Sequence, residues 1–272
     1  MVHGFPVINF KFKLDLFESM KITFLGTGTS QGIPVIGSNH PVCLSKNPKD
    51  KRLRVSVLVE WDHYTYVVDC GPDFRQQMLN AKCTRIDGIV FTHEHADHTA
   101  GLDDIRPFFF RQGNIPIYAH KRVLHSLQRR FDYIFETQNK YPGAPGVSES
   151  EIENKPFRLG NLDVIPIDGM HDKLQVFGFR FEDFVYLTDM NKVEDREIEK
   201  LKDVKVLVIN ALRIEPHPSH FNLDQALQFI AKVKPEAAYL THISALLGFH
   251  DEVQQKLPKN VFLAYDNLQI TI

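Results

Sequence analysis

Short apolar runs rich in β-branched and aromatic residues alternate with polar segments along most of the chain, a pattern typical of β-strands. Stretches with helical spacing of apolar residues lie between them. Because strand runs open each half and strand–helix alternation follows, we expect an α/β (α+β) chain with two mixed β-sheets flanked by helices. Predicted strands are 21–26, 54–61, 64–69, 86–91, 115–119, 162–167, 175–181, 184–187, 204–209, 237–241 and a C-terminal run, and predicted helices are 73–81, 101–112, 121–135, 194–201, 223–233 and 251–256.

The distribution of these elements predicts one domain over residues 20–272, because the first confident strand follows Met20 directly. Residues 1–19 are expected to be an N-terminal extension, and charged residues such as Lys11 and Asp15 interrupt any signal-peptide pattern. Segment 137–156 is rich in Pro, Gly, Ser and Glu, which predicts a mobile loop or lid, with a plain disordered connection as an equal alternative.

Composition narrows the classes of function. The 32 basic and 34 acidic residues nearly cancel, so the overall charge gives no reason to expect polyanion binding. No apolar run approaches the roughly 20 residues that span a bilayer. The three cysteines, Cys43, Cys70 and Cys83, are too few and too scattered for a disulfide framework, which favours a cytoplasmic protein.

The stretch "FTHEHADH", residues 91–98, is too polar to be core and follows the apolar residues 89–91 directly. In an extended chain His93 and His95 face the same side, whereas Asp97 and His98 are displaced towards a second point as the chain turns. Imidazole and carboxylate groups together suit Zn²⁺, Mn²⁺ or iron. The motif therefore predicts metal binding at the end of a strand.

This His-x-His-x-Asp-His motif resembles the signature of the metallo-β-lactamase superfamily. Three later segments agree with the resemblance: "GMHDK" contains His171, "VYLTDM" contains Asp189 and "YLTHIS" contains His242, each just beyond an apolar run. The resemblance covers most of the chain from Lys21 onward. It implies the αββα four-layer sandwich of that superfamily and a dinuclear, metal-dependent hydrolase.

The resemblance also implies roles for the matching residues. It assigns His93, His95 and His171 to one divalent ion, Asp97, His98 and His242 to the other, and Asp189 to a bridge between them. The expected ions are Zn²⁺ or Mn²⁺, and a hydroxide bridging them, oriented by Asp97, would be the nucleophile. Without the resemblance, Asp189 serves equally well as the N-cap of a helix.

Two further segments indicate a branch of the superfamily. "FLGTGTSQGIP" resembles the opening of PhnP-type cyclic-phosphate phosphodiesterases and of tRNA 3′-processing endonucleases. In "HPSHFNLDQAL", His220 matches an additional PhnP-type histidine, which implies contact with the substrate phosphate or protonation of the leaving oxygen. His217 is an alternative substrate-binding residue, and both histidines could instead flank a helix cap at Ser219 or Asn222.

One departure concerns a separate structural zinc that PhnP-type proteins often hold with three cysteines and a histidine. The corresponding positions here are Ser38, His40, Cys43 and Ala245. Two potential ligands do not close a tetrahedral site, so we predict that this zinc is absent.

The leading prediction is a metal-dependent phosphodiesterase that acts on a small phosphodiester, including a cyclic one. A tRNA 3′-processing endonuclease is the alternative enzyme, but it would need a basic, glycine-rich arm that the sequence lacks. A non-catalytic metal-binding or regulatory protein is the alternative from another class. The expected partner is a small molecule; nucleic acid and membrane are disfavoured, and a homodimer stays open.

Overall fold

Two β-sheets lie face to face between outer helices in the computed structural model, which describes residues 19–272. This arrangement confirms the predicted αββα four-layer sandwich. The strands are β1 (Lys21–Gly26), β2 (Ser56–Trp61), β3 (Tyr64–Val68), β4 (Gly88–Val90), β5 (Ile115–Ala119), β6 (Val147–Glu151), β7 (Phe157–Leu159), β8 (Leu162–His171), β9 (Leu174–Phe181), β10 (Phe184–Tyr186), β11 (Lys192–Val193), β12 (Val206–Asn210), β13 (Ala237–Thr241), β14 (Val261–Leu263) and β15 (Gln269–Thr271).

Each sheet combines antiparallel and parallel pairs. The first has the order β15-β1-β2-β3-β4-β5-β6, antiparallel as far as β3 and parallel beyond it. The second has the order β11-β8-β9-β10-β12-β13-β14, with β7 beside β8, and is parallel from β10 to β14. The carboxyl ends of parallel strands meet at one edge of a sheet, where ligands usually bind.

The helices cover the outer faces of both sheets. Pro41 and Pro107 lie in the first turns of their helices, where the missing N–H costs nothing. The helices are α1 (Pro41–Leu44), α2 (Phe74–Asn80), α3 (Ala96–Thr99), α4 (Arg106–Gln112), α5 (Lys121–Arg130), α6 (Asp132–Phe135), α7 (Asp195–Ile198), α8 (Leu223–Val233) and α9 (His250–Gln254), and 3₁₀ turns occupy Pro48–Asp50, Leu102–Ile105, Glu199–Leu201 and Ala245–Leu247.

The core has three apolar layers. Phe24 and Val59 of the first sheet face Phe179 and Phe181 of the second in the central layer, and all four are fully buried. Fully burying one such side chain contributes about 1.5–3 kcal/mol. Helices α2, α4 and α5 cover the outer face of the first sheet, and α8 and α9 cover that of the second. Both sheets are therefore rigid supports for the loops at their edges.

Some predicted elements differ from the structure. The expected loop at 137–156 includes β6, which pairs in parallel with β5, so the stretch without regular structure within it is much shorter than expected. The helix predicted over 121–135 is interrupted at Phe131, whose φ of −129° and ψ of 39° are not helical. Residues 1–18 of the predicted N-terminal extension lie outside the described residues. No helix within 19–272 is both long enough and apolar enough to cross a bilayer.

Candidate metal centre

The predicted ligands all lie where strands end. His93 and His95 follow β4, His171 is the last residue of β8, Asp189 follows β10, and His242 directly follows β13. Strands β4, β10 and β13 each have a parallel neighbour, so their carboxyl ends lie at the same edge as those neighbours. The face-to-face sheets bring these two edges together.

The predicted ligands form adjoining groups in which all potential ligand atoms lie within 4.8 Å of one another. The first group is His93, His95 and His171. The second group is Asp97, His98, Asp189 and His242. Asp189 also lies with His171 and His220 in a third set, so this carboxylate is close to both groups, as a bridging ligand would be.

Asp189 is the centre of the second group. His98 Nε2 contacts one of its carboxylate oxygens, and His242 Nε2 lies 2.9 Å from the other. Asp97 Oδ2 lies 3.4 Å from His98 Nε2 and 3.8 Å from His242 Nε2. Two carboxylates and two imidazoles thus converge on one point, which is a donor set that suits zinc or manganese.

A carboxylate that the sequence analysis did not assign, Asp69, orients two of the histidines. Its Oδ2 lies 2.6 Å from His98 Nδ1 and accepts a hydrogen bond from Thr92 Oγ1 at 2.9 Å. Because the Thr92 hydroxyl donates its only hydrogen in the bond to Asp69, it must accept a hydrogen bond from His93 Nδ1, 3.0 Å away. Both histidines therefore carry a proton on Nδ1, which leaves Nε2 facing the cluster as the potential ligand atom.

Backbone and amide contacts fix the other ligands. His171 Nδ1 lies 2.8 Å from the carbonyl oxygen of Ser219 and must donate to it, which leaves its Nε2 free. The buried Asn210 amide accepts from Met190 N–H and donates to Met190 C=O, so the residue after Asp189 is held on both sides. Such second contacts set the direction of a ligand before any ion binds.

Unpaired buried atoms test whether the cluster fits metal ions. His93 Nε2, His98 Nε2, His242 Nε2 and Asp189 Oδ2 are inaccessible to solvent and have no well-formed hydrogen bond among residues 19–272. An unpaired buried polar atom costs about 1–3 kcal/mol. Divalent cations would satisfy these lone pairs together, so the residues present fit a pair of metal ions.

The charges in the cluster point the same way. Burial lowers the pKa of His93 well below its usual value, and the neighbouring His98 lowers it further. Burial would also lower the pKa of His98, but the carboxylates of Asp189, Asp97 and Asp69 outweigh it and raise that pKa well above the usual value. The second group therefore carries excess negative charge. It would hold protons when no metal ion is bound, and a divalent cation would take their place.

His220 and His217 lie at different depths. His220 is 8% exposed, its ring lies 4.5 Å from that of His171, and its Nδ1 is 3.2 Å from Asp189 Oδ1. His217 is half-buried, with its ring 5.0 Å from that of His220. Of the two, His220 is thus the one that adjoins the ligands.

Of the two cap residues that the sequence offered, Ser219 and Asn222, the structure uses Asn222. Asn222 closes a capping box with Gln225 at the start of α8, two residues after His220. Asp189, by contrast, caps no helix, because Glu194 precedes α7.

Close backbone approaches keep the motif loop in place. An added Cβ on Gly71 would lie 2.1 Å from the carbonyl oxygen of Asp97, and one on Gly101 would lie 2.1 Å from that of Gly71. Asp69, Asp189 and His242 have φ of 65°, 53° and 53°, in the left-handed region that costs non-glycine residues energy. Strain at three ligand or ligand-orienting residues is typical of a functional site.

The region of the predicted missing zinc is occupied by ordinary packing contacts. His40 Nδ1 accepts from Val42 N–H at the start of α1, and Cys43 is buried with Val35 N–H 3.5 Å from its Sγ. Ser38 Oγ accepts from His40 N–H. The absence of zinc there stays a prediction.

Known proteins similar to this chain share the sandwich. A family model described as a beta-lactamase superfamily domain matches residues 64–243. The crystal structure of a new diphosphatase from the PhnP family superposes with a TM-score of 0.88 at 36% identity, covering 94% of this chain and 98% of that one.

Two curated relatives are longer than the matched region. An octanoyltransferase of Porphyromonas gingivalis is 38% identical over 256 residues, which cover 93% of this chain and 52% of the relative. Ribonuclease Z of Nanoarchaeum equitans is 25% identical over 180 residues, which cover 62% of this chain and 55% of the relative. The chain thus spans about half the length of these curated relatives.

Proposed function

The chain belongs to the metallo-β-lactamase superfamily, and we propose that it is a metal-dependent hydrolase that cleaves a phosphodiester or diphosphate bond of a small molecule. The observation that carries the proposal is the pair of ligand groups that adjoin at Asp189, with His220 beside them. Two divalent cations there would polarise a phosphoryl oxygen and lower the pKa of water. We include a diphosphate bond beside the predicted phosphodiester because one similar protein is named a diphosphatase.

Each group would hold one divalent ion, either Zn²⁺ or Mn²⁺. Asp189 faces both groups and is the proposed shared ligand. The proposed ligands are His93, His95 and His171 for one ion and Asp97, His98 and His242 for the other.

Asp97 and His220 are the proposed catalytic residues. The Asp97 side chain is 15% exposed, so its carboxylate reaches the open side of the cluster and can accept a hydrogen bond from water. His220 Nδ1 lies 3.2 Å from Asp189 Oδ1, and its ring would contact a phosphoryl or leaving oxygen. His217, farther from the ligands, would contact the remainder of the substrate.

A small substrate agrees better with the surroundings than tRNA does. Residues 136–146 contain a single basic residue, Lys140, and one acidic residue, Glu136. A loop that grips a nucleic-acid backbone needs several cations, because each phosphate contact contributes through counterion release.

Octanoyl transfer has little support from the described residues. That name belongs to a relative of which this chain covers 52%. Covalent acyl transfer needs an activated nucleophile. Cys70, which directly follows the ligand-orienting Asp69, is fully buried, and burial raises the pKa of its thiol well above the usual value, so it is a poor thiolate.

Hydrolysis assays with purified protein test the proposal. The substrates are bis-p-nitrophenyl phosphate, a cyclic nucleotide, a nucleoside diphosphate and a precursor tRNA, each with Mn²⁺, with Zn²⁺ and after chelation. We expect metal-dependent cleavage of at least one small substrate and a loss of more than about 100-fold in kcat/KM for His95→Ala. His63→Ala is the control, because His63 is exposed in the turn between β2 and β3.

Three results would count against the proposal. Activity that persists in His95→Ala would place the reaction elsewhere. Inactivity towards every substrate with every metal would favour the non-catalytic metal-binding protein. Efficient cleavage of precursor tRNA alone would favour the endonuclease.

A further inference from the structure

A buried arginine, Arg52, lies behind the loop that carries His242. Its side chain donates through Nη1 to Thr27 Oγ1 at 2.7 Å and to the carbonyl oxygen of Ala264 at 2.6 Å. Nη2 lies 3.1 Å from His250 Nδ1. Because a guanidinium has donors only, His250 Nδ1 must be the acceptor. Arg52 is 4% exposed, so these contacts replace its hydration.

The network reaches His242 through one backbone ladder. Thr27, whose hydroxyl binds Arg52, accepts a hydrogen bond from Ile243 N–H through its carbonyl oxygen at 2.9 Å. Thr29 N–H donates to Ile243 C=O at 3.0 Å. The residue directly after His242 is therefore bonded on both sides to the loop that Arg52 holds, and His242 itself has a left-handed φ.

One buried carboxylate, Asp50, and one partly buried carboxylate, Asp266, complete the network. Asp266 accepts from Thr27 Oγ1 at 2.7 Å and from Leu53 N–H at 2.6 Å. Asp50 accepts from His250 N–H at 2.8 Å and from Ser45 Oγ at 2.6 Å. The charge of Arg52 is thus balanced within the protein, and the network ties the loop after β1, the segment before β2 and α9 to the segment after β14.

The first group is held by different contacts. His93 is oriented by Thr92, and His171 by the carbonyl oxygen of Ser219. The side-chain bonds of Arg52 and His250 reach neither of these residues. A disturbance at Arg52 should therefore reach His242 before it reaches His93, His95 or His171.

We infer that Arg52, with His250 as its acceptor, is a positioning residue that sets the affinity of the second group for its ion and leaves the first group unaffected. The inference rests on the proposed function, since it takes both groups to be ion sites. His242 reaches the second group from a strained backbone, and Arg52 supplies the contacts that keep it there. Loss of such supporting contacts typically weakens metal binding 10- to 100-fold.

The test measures each ion site separately. In a His95→Ala background, calorimetric titration of metal-free protein with Mn²⁺ reports mainly the second group, and in an Asp97→Ala background it reports mainly the first. We expect Arg52→Met to raise the Kd for Mn²⁺ about tenfold in the His95→Ala background and less than twofold in the Asp97→Ala background. No turnover is needed for this measurement.

Arg180→Met is the matched control. Arg180 Nη1 also donates to two carbonyl oxygens, those of Lys200 and Lys202. It lies at the end of β9 remote from His171, because His171 pairs with Leu174 at the other end. Its loss should leave the Kd within twofold in both backgrounds.

A second pair of variants covers the case in which Arg52→Met does not fold. His250→Gln keeps an oxygen that can accept from Arg52, whereas His250→Ala does not. We expect the Kd of the second group to rise for His250→Ala and to be restored for His250→Gln.

The outcomes separate the two proposals. Equal weakening in both backgrounds, or a lower melting temperature with unchanged Kd values, would mean that Arg52 is merely structural and would overturn the inference. Wild-type protein that takes up no ion would overturn the proposed function as well.

Discussion

The Asp69 side chain accepts three hydrogen bonds within one buried pocket, from Thr92 N–H, Thr92 Oγ1 and His98 Nδ1. Burial raises the pKa of this carboxyl, while His98 and the Thr92 donors lower it. The sequence motif names the proposed ligands but not the carboxylate that orients them. The available signal was a lone acid directly after an apolar strand; His242 also follows an apolar run, but the family resemblance was what assigned it.

Replacing this carboxylate should weaken metal binding without removing a proposed ligand. In Asp69→Asn, one of the two acceptor oxygens becomes an amide group that donates, so the side chain can no longer accept from both His98 and Thr92. The proton of His98 is then no longer fixed on Nδ1. We expect metal affinity to fall about 10- to 100-fold, measured by titration of metal-free protein. Asp87→Asn is a comparison variant, since Asp87 accepts from Thr65 N–H at the other end of β3. An unchanged affinity in Asp69→Asn would contradict the orienting role.

His250 predicts an acid-sensitive contribution to stability. Burial and the Arg52 guanidinium lower its pKa to about 4. The unfolded chain takes up this proton near pH 6.5 and the folded chain only near pH 4, so stability falls as the pH drops through that window. The difference in unfolding free energy between wild type and His250→Gln, measured in urea, should decrease by on the order of 1–3 kcal/mol from pH 7 to pH 4.

Asp266 predicts the opposite pH dependence of stability and therefore serves as a check on the prediction for His250. Burial raises its pKa to about 6, so its folded form keeps a proton that the unfolded chain releases near pH 4. The difference between wild type and Asp266→Asn should therefore decrease as the pH rises from 4 to 6. Parallel slopes for the two variants would contradict both assignments.

At the scale of elements, strands were easier to predict than helix boundaries. The apolar runs before His93, His171 and His242 are strands, because β-branched residues buried on both faces have few alternatives. The helix predicted over 101–112 begins as a 3₁₀ turn, because Pro107 cannot continue an existing hydrogen-bond ladder and instead starts α4. The edge strand β6 was missed because exposed serines and glutamates alternate in it.

The contact between the loop after β3 and α3 should tolerate no added atom. In Gly71→Ala the new Cβ would meet the carbonyl oxygen of Asp97 at 2.1 Å, so α3 must move. We expect a loss of about 3 kcal/mol or more in unfolding free energy and weaker binding of the second ion. Gly37→Ala is the control: nothing lies within 4 Å, and its φ of 73° should cost only about 1–2 kcal/mol. Similar losses for both variants would argue against a specific clash.

At the scale of the whole molecule, the site depends on the docking of two sheets. The sequence predicted seven metal ligands, and the structure brings these seven residues close together. The sequence could not predict the backbone contact between Thr27 and Ile243 or the network of Arg52, because these join positions about 200 residues apart and involve no motif.

Metal removal should therefore destabilise the entire sandwich. Chelation leaves buried, unpaired imidazole and carboxylate atoms in the space between both sheet edges. We expect the melting temperature to fall by on the order of 10 °C and to recover with Mn²⁺ or Zn²⁺. Ca²⁺ should not restore it, because imidazole-rich sites bind it poorly. A melting temperature that is insensitive to chelation would contradict a structural coupling between ions and sheets.

The division of the ligands between the two halves of the chain has a consequence for biosynthesis. His93, His95, Asp97 and His98 leave the ribosome well before His171, Asp189 and His242 have been translated. An ion captured by the early residues would have no closed cage around it and could escape or be exchanged. Stable binding of the proposed ions would therefore require the last third of the chain, which contains Asp189 and His242, to have been translated.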